Sequence, residues 1–354
     1  MKKIILTGGG TAGHCLPNMA LLPSLKEAGF EISYIGSYEG IERSIAEKNG
    51  LPYYGISSGK LRRYFDLKNL TDPFRVIKGF RESVQLLEKI RPDIVFSKGG
   101  YVSVPVVKAA KKLGIPVVIH ESDFTPGLAN RLSFSSAQRI CCSFKKTLEF
   151  LPGDKGIFTG TPIRKELLSG NRDRALCFTG LESGIKPFLM IIGGSLGAQS
   201  VNETVRSALP DLLERYYVIH LCGRGKANPD FDEMSGYRQY EYIDDELPDL
   251  YALSDIVISR AGANAVFELL ALKKPNILIP LPGKSSRGDQ ILNAEAFAEA
   301  SYSYILRQED MTKESLLKAV DEVYEKRKDF TRAMEKAPEQ DAVGKICNII
   351  KEIS

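Results

Sequence analysis

The stretch KKIILTGGGTAGHCLPNMALL, residues 2–22, decides the fold: a short apolar run enters a glycine-rich turn and then a helix. Apolar Leu16, Met19, Ala20 and Leu25 recur at helical spacing, Pro17 sits at the helix start and Gly29 ends it. Outward from this unit, EISYIG (31–36) reads as a strand and IERSIAEKNG (41–50) as a helix. PDIVFSKGG (92–100) and IPVVIHES (115–122) are near-continuous apolar strands separated by the helix VPVVKAAKKLG (104–114). Strands this apolar, alternating with helices, predict a parallel sheet covered on both faces.

The same device restarts at PFLMIIGGSLGAQ, residues 187–199, and is followed by strands in YYVIHLCG, DIVISRAG, PNILIPL and SYSYILR with helices between them. An α/β chain of two doubly wound, Rossmann-like domains facing a central cleft is expected, with ligands at the carboxyl ends of the strands. The length of 354 residues suits two cores rather than one. Turn residues in FLPGDKGIFTGTPIR (150–164) and around KAPEQDAVG (336–344) read as linkers. They divide the chain into domains at 1–162 and 163–338, with a final helix at 339–354 open to pack on either and grouped with the first.

Composition excludes the disordered and membrane-spanning classes, with 43% apolar and 26% charged residues and no apolar run near the roughly 20 residues of a spanning helix. The N-terminus turns glycine-rich too early for a signal peptide. Six cysteines without a CxxC pair lie in apolar segments and are expected to be reduced and buried, with no metal or disulfide role. Charge is uneven. Residues 1–162 hold 23 Lys and Arg against 14 Asp and Glu, whereas the remainder holds 25 against 30. The first half is therefore expected to face an anionic partner. Much of that charge lies between Lys60 and Arg91, with nine basic residues against four acidic ones. There Phe74, Ile77, Phe80 and Val84 recur at helical spacing beside Arg75, Lys78 and Arg81, the pattern of a helix lying on an anionic membrane.

Backbone amides of the turn Gly8 to His14, at a helix N-terminus, suit a phosphate or sugar oxygen. The turn departs from the dinucleotide fingerprint, since no acidic residue is read after the second strand where a ribose needs it. His14 ends the turn, where a neutral imidazole can take a proton from a hydroxyl. His120 ends its strand and is followed by Glu121 and Asp123, a second loop for the cleft, whereas His220 reads as core. In the second half Gly193 to Ala198 repeats the amide cradle with Ser195 as a hydroxyl donor, and Arg164 supplies charge from the linker. Ser259 to Glu268 is a strand, a small-residue turn and a helix start that leaves room for a nucleoside, with Glu268 able to accept from paired hydroxyls.

These segments together resemble the MurG family of GT-B glycosyltransferases, the undecaprenyldiphospho-muramoylpentapeptide β-N-acetylglucosaminyltransferases of peptidoglycan synthesis. The resemblance spans the chain, through GGGTAGH (8–14), SSGKLRRY (57–64), SKGGYVSVP (97–105), HESDFTPGLAN (120–130), TGTPIR (159–164), GGSLGA (193–198), SRAGANAVFE (259–268) and SRGDQILNA (286–294). It implies an inverting transfer of N-acetylglucosamine from UDP-N-acetylglucosamine to the muramoyl 4-hydroxyl of lipid I, giving lipid II, at the cytoplasmic face of the membrane. By the same resemblance His14 is the base. Donor contacts fall on Thr11, Ala12, Gly13, Arg164, Ser195, Ile243, Ala263, Asn264, Ala265, Val266, Phe267, Glu268 and Gln290, and the acceptor side on Glu121, Asp123 and Asn130. No cofactor, protein-held metal or nucleic-acid partner is expected; Asp230-Phe231-Asp232 matches a metal-binding DxD triplet but lies in a polar loop rather than at a strand end. The chain departs from the family pattern at Ala12 for a glycine, Leu196 for a glutamine, Asp123 for an asparagine and Asn264-Ala265 for a Leu-Thr pair. A UDP-N-acetylglucosamine 2-epimerase, a glycolipid synthase of the same fold and a non-catalytic nucleotide-sugar binding module remain as alternatives.

Overall fold

Alternate residues of the first strand, Ile4 and Leu6 on one side and Ile5 on the other, are wholly buried, because that strand sits inside a sheet with helices on both faces. In the computed structural model residues 1–59, 68–194, 197–283, 288–338 and 341–354 are described, with side chains from Phe74 onward in the helix that begins at Lys68. Residues 60–67, which open the basic stretch Lys60 to Arg91, the pair Ser195-Leu196 and Ser286-Arg287 of SRGDQILNA lie outside the described residues.

Strands β1 (Lys3–Thr7), β2 (Glu31–Ser37), β3 (Tyr53–Ile56), β4 (Ile94–Ser97), β5 (Val117–Glu121), β6 (Arg139–Cys142) and β7 (Gly156–Phe158) form one parallel sheet in the order β3-β2-β1-β4-β5-β6-β7. One face is covered by the helices Leu16–Glu27 and Ala342–Ile353, whose Leu21, Leu25, Ile346 and Ile350 pack on Ile4, Leu6, Ile32 and Phe96. The other is covered by the helices Lys68–Ile90 and Ser103–Lys112, through Leu87, Val106 and Ala110 against Ile5, Val95 and Ile119. Burying each such aliphatic side chain contributes roughly 1.5–3 kcal/mol.

Strands β8 (Phe188–Ile192), β9 (Tyr217–Leu221), β10 (Tyr237–Tyr240), β11 (Ile256–Ser259), β12 (Asn276–Leu278) and β13 (Tyr304–Ile305) form a second parallel sheet, β10-β9-β8-β11-β12-β13. Val205, Leu209 and Leu212 of the helix Gln199–Arg215 and Leu316 and Val320 of the helix Lys313–Glu325 pack on its Leu189, Ile191, Val218 and Ile258. Both sheets are doubly wound, as the repeated strand, glycine turn and helix predict. In each, the order reverses beside the first strand, so the carboxyl ends of β1 and β4, and of β8 and β11, are where a crevice opens.

The chain divides into a unit of Met1–Arg164 with Glu339–Ser354 and a unit of Lys165–Pro338. The stretch 150–164, read as linker, contains β7, which closes the edge of the first sheet on β6. All six cysteines are free; Cys177 is exposed rather than buried.

Candidate functional site

In the first unit the glycine turn after β1 lies against a second one after β4. A Cβ on Gly100, whose φ is +83°, would stand 2.2 Å from the Gly9 carbonyl oxygen and 3.1 Å from His14 Cδ2. A Cβ on Gly10, at φ +89°, would stand 2.5 Å from the Tyr101 ring. Only glycine permits this contact of two backbones. The chain then makes a single tight turn over Ala12–His14, with His14 N donating to Thr11 O, before the helix Leu16–Glu27. Thr11 and Gly13 are exposed and Ala12 half-buried.

His14 Nδ1 is 3.2 Å from the Lys98 carbonyl oxygen at the end of β4. A carbonyl only accepts, so Nδ1 carries the proton and Nε2 keeps its lone pair. The side chain is half-buried, and the absence of a Cβ on Gly100 leaves room for its Cδ2 atom. The anchored nitrogen fixes the tautomer, in which Nε2 is the basic one.

An acidic residue does follow β2, contrary to the sequence reading. Glu42 is wholly buried, and its carboxylate accepts from Gly10 N at 3.3 Å and Ser37 N at 3.0 Å. It holds the glycine turn rather than a ribose.

The loop after β5 is built on Glu121. Its carboxylate is buried and accepts from Asp123 N at 3.0 Å, Gly127 N at 2.9 Å and Asn130 Nδ2 at 2.8 Å, which fixes the turn. Burial, and then the charge of Asp123, push its carboxyl above the usual range. Glu121 and Asn130 thus face each other inside the turn, while Asp123 is half-exposed on its outside. His120 is buried as well, with Nε2 2.8 Å from Gly160 O. His220 lies in the second core between Tyr237 OH (2.9 Å) and Asn202 Oδ1 (3.0 Å), and burial lowers its pKa to about 3.

In the second unit the residues read as donor contacts gather at strand ends. After β8, Gly197 at φ +65° brings its backbone against Cys222 O, where a Cβ would meet it at 2.0 Å, and the helix Gln199–Arg215 begins directly. Ile243 is buried just beyond β10. After β11 the helix Ala263–Ala271 turns Ala263, Val266 and Phe267 inward and leaves Asn264, Ala265 and Glu268 half-exposed. Gln290 Oε1 accepts from Leu281 N at 3.1 Å beyond β12. Buried Asn293, which sequence reasoning passed over, donates to Ala261 O at 3.2 Å and ties that helix start to the helix Asp289–Glu299. Arg164 ends the first unit and Ser195 is outside the described residues, so the expected donor set is divided between the units.

On the helix Lys68–Ile90, Phe74 is 74% and Ile77 52% exposed, with Arg75, Lys78 and Arg81 exposed beside them, whereas Phe80 and Val84 lean on the core. Among the described residues no helix is long and apolar enough to cross a membrane.

Two parallel sheets, each reversing its order beside a glycine turn, with an anchored imidazole at one of them, define a GT-B glycosyltransferase. Family models agree: residues 4–142 match the glycosyltransferase family 28 N-terminal domain and residues 188–348 its C-terminal domain. The chain is 60% identical over its full length, and 99% of the other's, to a UDP-N-acetylglucosamine–N-acetylmuramyl-(pentapeptide) pyrophosphoryl-undecaprenol N-acetylglucosamine transferase of Lachnoclostridium phytofermentans. It is 58% identical, over all of both chains, to the protein of that name in Lachnospira eligens. The crystal structure of Acinetobacter baumannii MurG superposes with a TM-score of 0.77 at 25% identity, covering 99% of this chain and 100% of that one. The chain belongs to glycosyltransferase family 28, among the MurG proteins.

Proposed function

We propose that this chain transfers N-acetylglucosamine from UDP-N-acetylglucosamine to the muramoyl 4-hydroxyl of the undecaprenyl-diphosphate-linked acceptor lipid I, with inversion, to form lipid II. The observation that carries the mechanism is His14 Nδ1 on the Lys98 carbonyl, which supports the tautomer whose basic nitrogen, Nε2, accepts the hydroxyl proton. The acceptor oxygen attacks the anomeric carbon, that carbon's bond to the diphosphate breaks, and UDP leaves with the electron pair. Arg164, Ser195 and the amides of the turn from Gly193 to Ala198 stabilise the departing diphosphate. Glu268 accepts from the paired ribose hydroxyls, Gln290 and the residues from Ala263 to Phe267 shape the nucleoside site with Ile243, and the turn from Thr11 to Gly13 borders the sugar. Glu121 and Asn130 set the loop that presents Asp123 to the acceptor.

The exposed pair Phe74 and Ile77, flanked by Arg75, Lys78 and Arg81, supports peripheral docking on the anionic cytoplasmic face of the membrane, where the acceptor's lipid tail is held. Phe80 braces that helix on the core.

The deciding experiment incubates labelled UDP-N-acetylglucosamine with and without lipid I. Label moving to the lipid with release of UDP, and only with acceptor, is the expected result. Free sugar or its C2 epimer formed without acceptor would instead make the chain an epimerase, and transfer to diacylglycerol a glycolipid synthase; the names of the 60% and 58% identical relatives favour neither.

A further inference from the structure

Glu42, in the first turn of the helix Ile41–Lys48, is a carboxylate wholly buried in the first unit. Such a group is costly to bury without hydrogen bonds, so the donors it draws show what it holds. Oε2 accepts from Gly10 N at 3.3 Å, in the glycine turn after β1, and Oε1 accepts from Ser37 N at 3.0 Å and from Ser37 Oγ, at the end of β2. One backbone N–H thus sits on each oxygen. An amide could not take its place, because it has one accepting oxygen and its NH2 would face either Gly10 N–H or Ser37 N–H. The room for the carboxylate is made by glycines. A Cβ on Gly9 would stand 2.7 Å from Glu42 Cδ, one on Gly36 2.7 Å from its Cγ and one on Gly40 2.2 Å from its Oε1. None of these glycines has φ in the left-handed region, so space rather than backbone conformation excludes a Cβ at each.

Gly9 is held between this carboxylate and the second glycine turn, since its own Cβ position meets Glu42 while its carbonyl oxygen is what a Cβ on Gly100 would meet. Beyond Gly10 the chain enters the tight turn Ala12–His14, where His14 N donates to Thr11 O, and His14 O comes back to 2.5 Å from where a Cβ on Gly8 would stand. A shift of Gly10 therefore passes directly into the backbone that carries His14. We propose that Glu42 is a positioning residue for the transfer: its carboxylate clamps the Gly9–Gly10 backbone against Gly100 and so sets the turn from Thr11 to His14. The proposal rests on the reading of that turn as part of the transfer site.

Glu42→Gln keeps the size of the side chain and sets a donor against a donor. In transfer of labelled N-acetylglucosamine to lipid I its kcat should fall about tenfold or more with the donor KM unchanged. Gly40→Ala leaves Glu42 in place and, at φ −77°, adds no backbone strain, but its Cβ displaces the carboxylate from Gly10, so it should repeat the loss of kcat. Combining the two should cost scarcely more than either alone, since both break one contact, whereas independent defects would multiply. Hydrogen exchange read by NMR needs no variant to fold: the wild-type Gly10 amide should exchange slowly although it lies in a glycine turn, and in Glu42→Gln it should exchange quickly. Wild-type kcat in Glu42→Gln, multiplied losses in the double variant, or a rapidly exchanging Gly10 amide in the wild-type protein overturns the proposal. Wild-type protein that moves no label to lipid I overturns the transfer reading instead, and slow exchange of Gly10 would then still establish the clamp.

Discussion

Gly100→Ala tests whether contact between the two glycine turns positions the base. At φ +83° an L side chain costs roughly 1–2 kcal/mol from backbone strain alone. The new Cβ would also stand 2.2 Å from Gly9 O, whereas carbon and oxygen rest about 3.3 Å apart, so the turns must separate by about 1 Å. Gly10 is tied through its N–H to buried Glu42, and His14 Cδ2 is itself 3.1 Å from the added atom, so parting the turns displaces the imidazole. A 1 Å misplacement of a reacting group costs on the order of 10²-fold in rate. Gly29→Ala is the matched control, because Gly29 has φ +80° and nothing within 4 Å of its Cβ, so it bears the strain without the collision. Both variants should lose stability, Gly100→Ala more, and only Gly100→Ala should lose kcat in transfer of labelled N-acetylglucosamine to lipid I. Equal kcat in the two variants would refute the argument that the Gly9–Gly100 contact sets His14.

His14→Ala should lower kcat by roughly 10²–10⁴-fold while calorimetry finds UDP-N-acetylglucosamine affinity nearly intact, since the base acts on the acceptor. Glu268→Ala should weaken donor binding about tenfold or more, the worth of a charged hydrogen bond, and an unchanged dissociation constant would put Glu268 on the solvated face of its helix. Reversal of Arg75, Lys78 and Arg81 to Glu should abolish sedimentation with phosphatidylglycerol vesicles, each basic residue there contributing roughly 1 kcal/mol, and should spare turnover of a short-chain soluble acceptor. Wild-type sedimentation of that triple variant at low salt would move the membrane face elsewhere.

What could be read in the chain follows from what each residue needs from its neighbours in sequence. The doubly wound fold was legible because β1 and β8 are apolar runs that end directly in glycine turns, and His220 because apolar residues flank it on its strand. β7 was hidden: Gly156–Phe158 is three residues in a turn-rich stretch, and only the partner strand β6 makes it part of a sheet. Glu42 was missed for a related reason. An acid after the second strand suggests a ribose ligand or a solvated helix end, and nothing local indicates that its carboxylate turns inward to Gly10, 32 residues earlier.

Lys98 is the sharpest case, since a lysine between an apolar strand and two glycines reads as the exposed start of a loop. Its burial is dictated from β5, 22 residues away, where His120 offers a lone pair only because its other nitrogen is spent on Gly160.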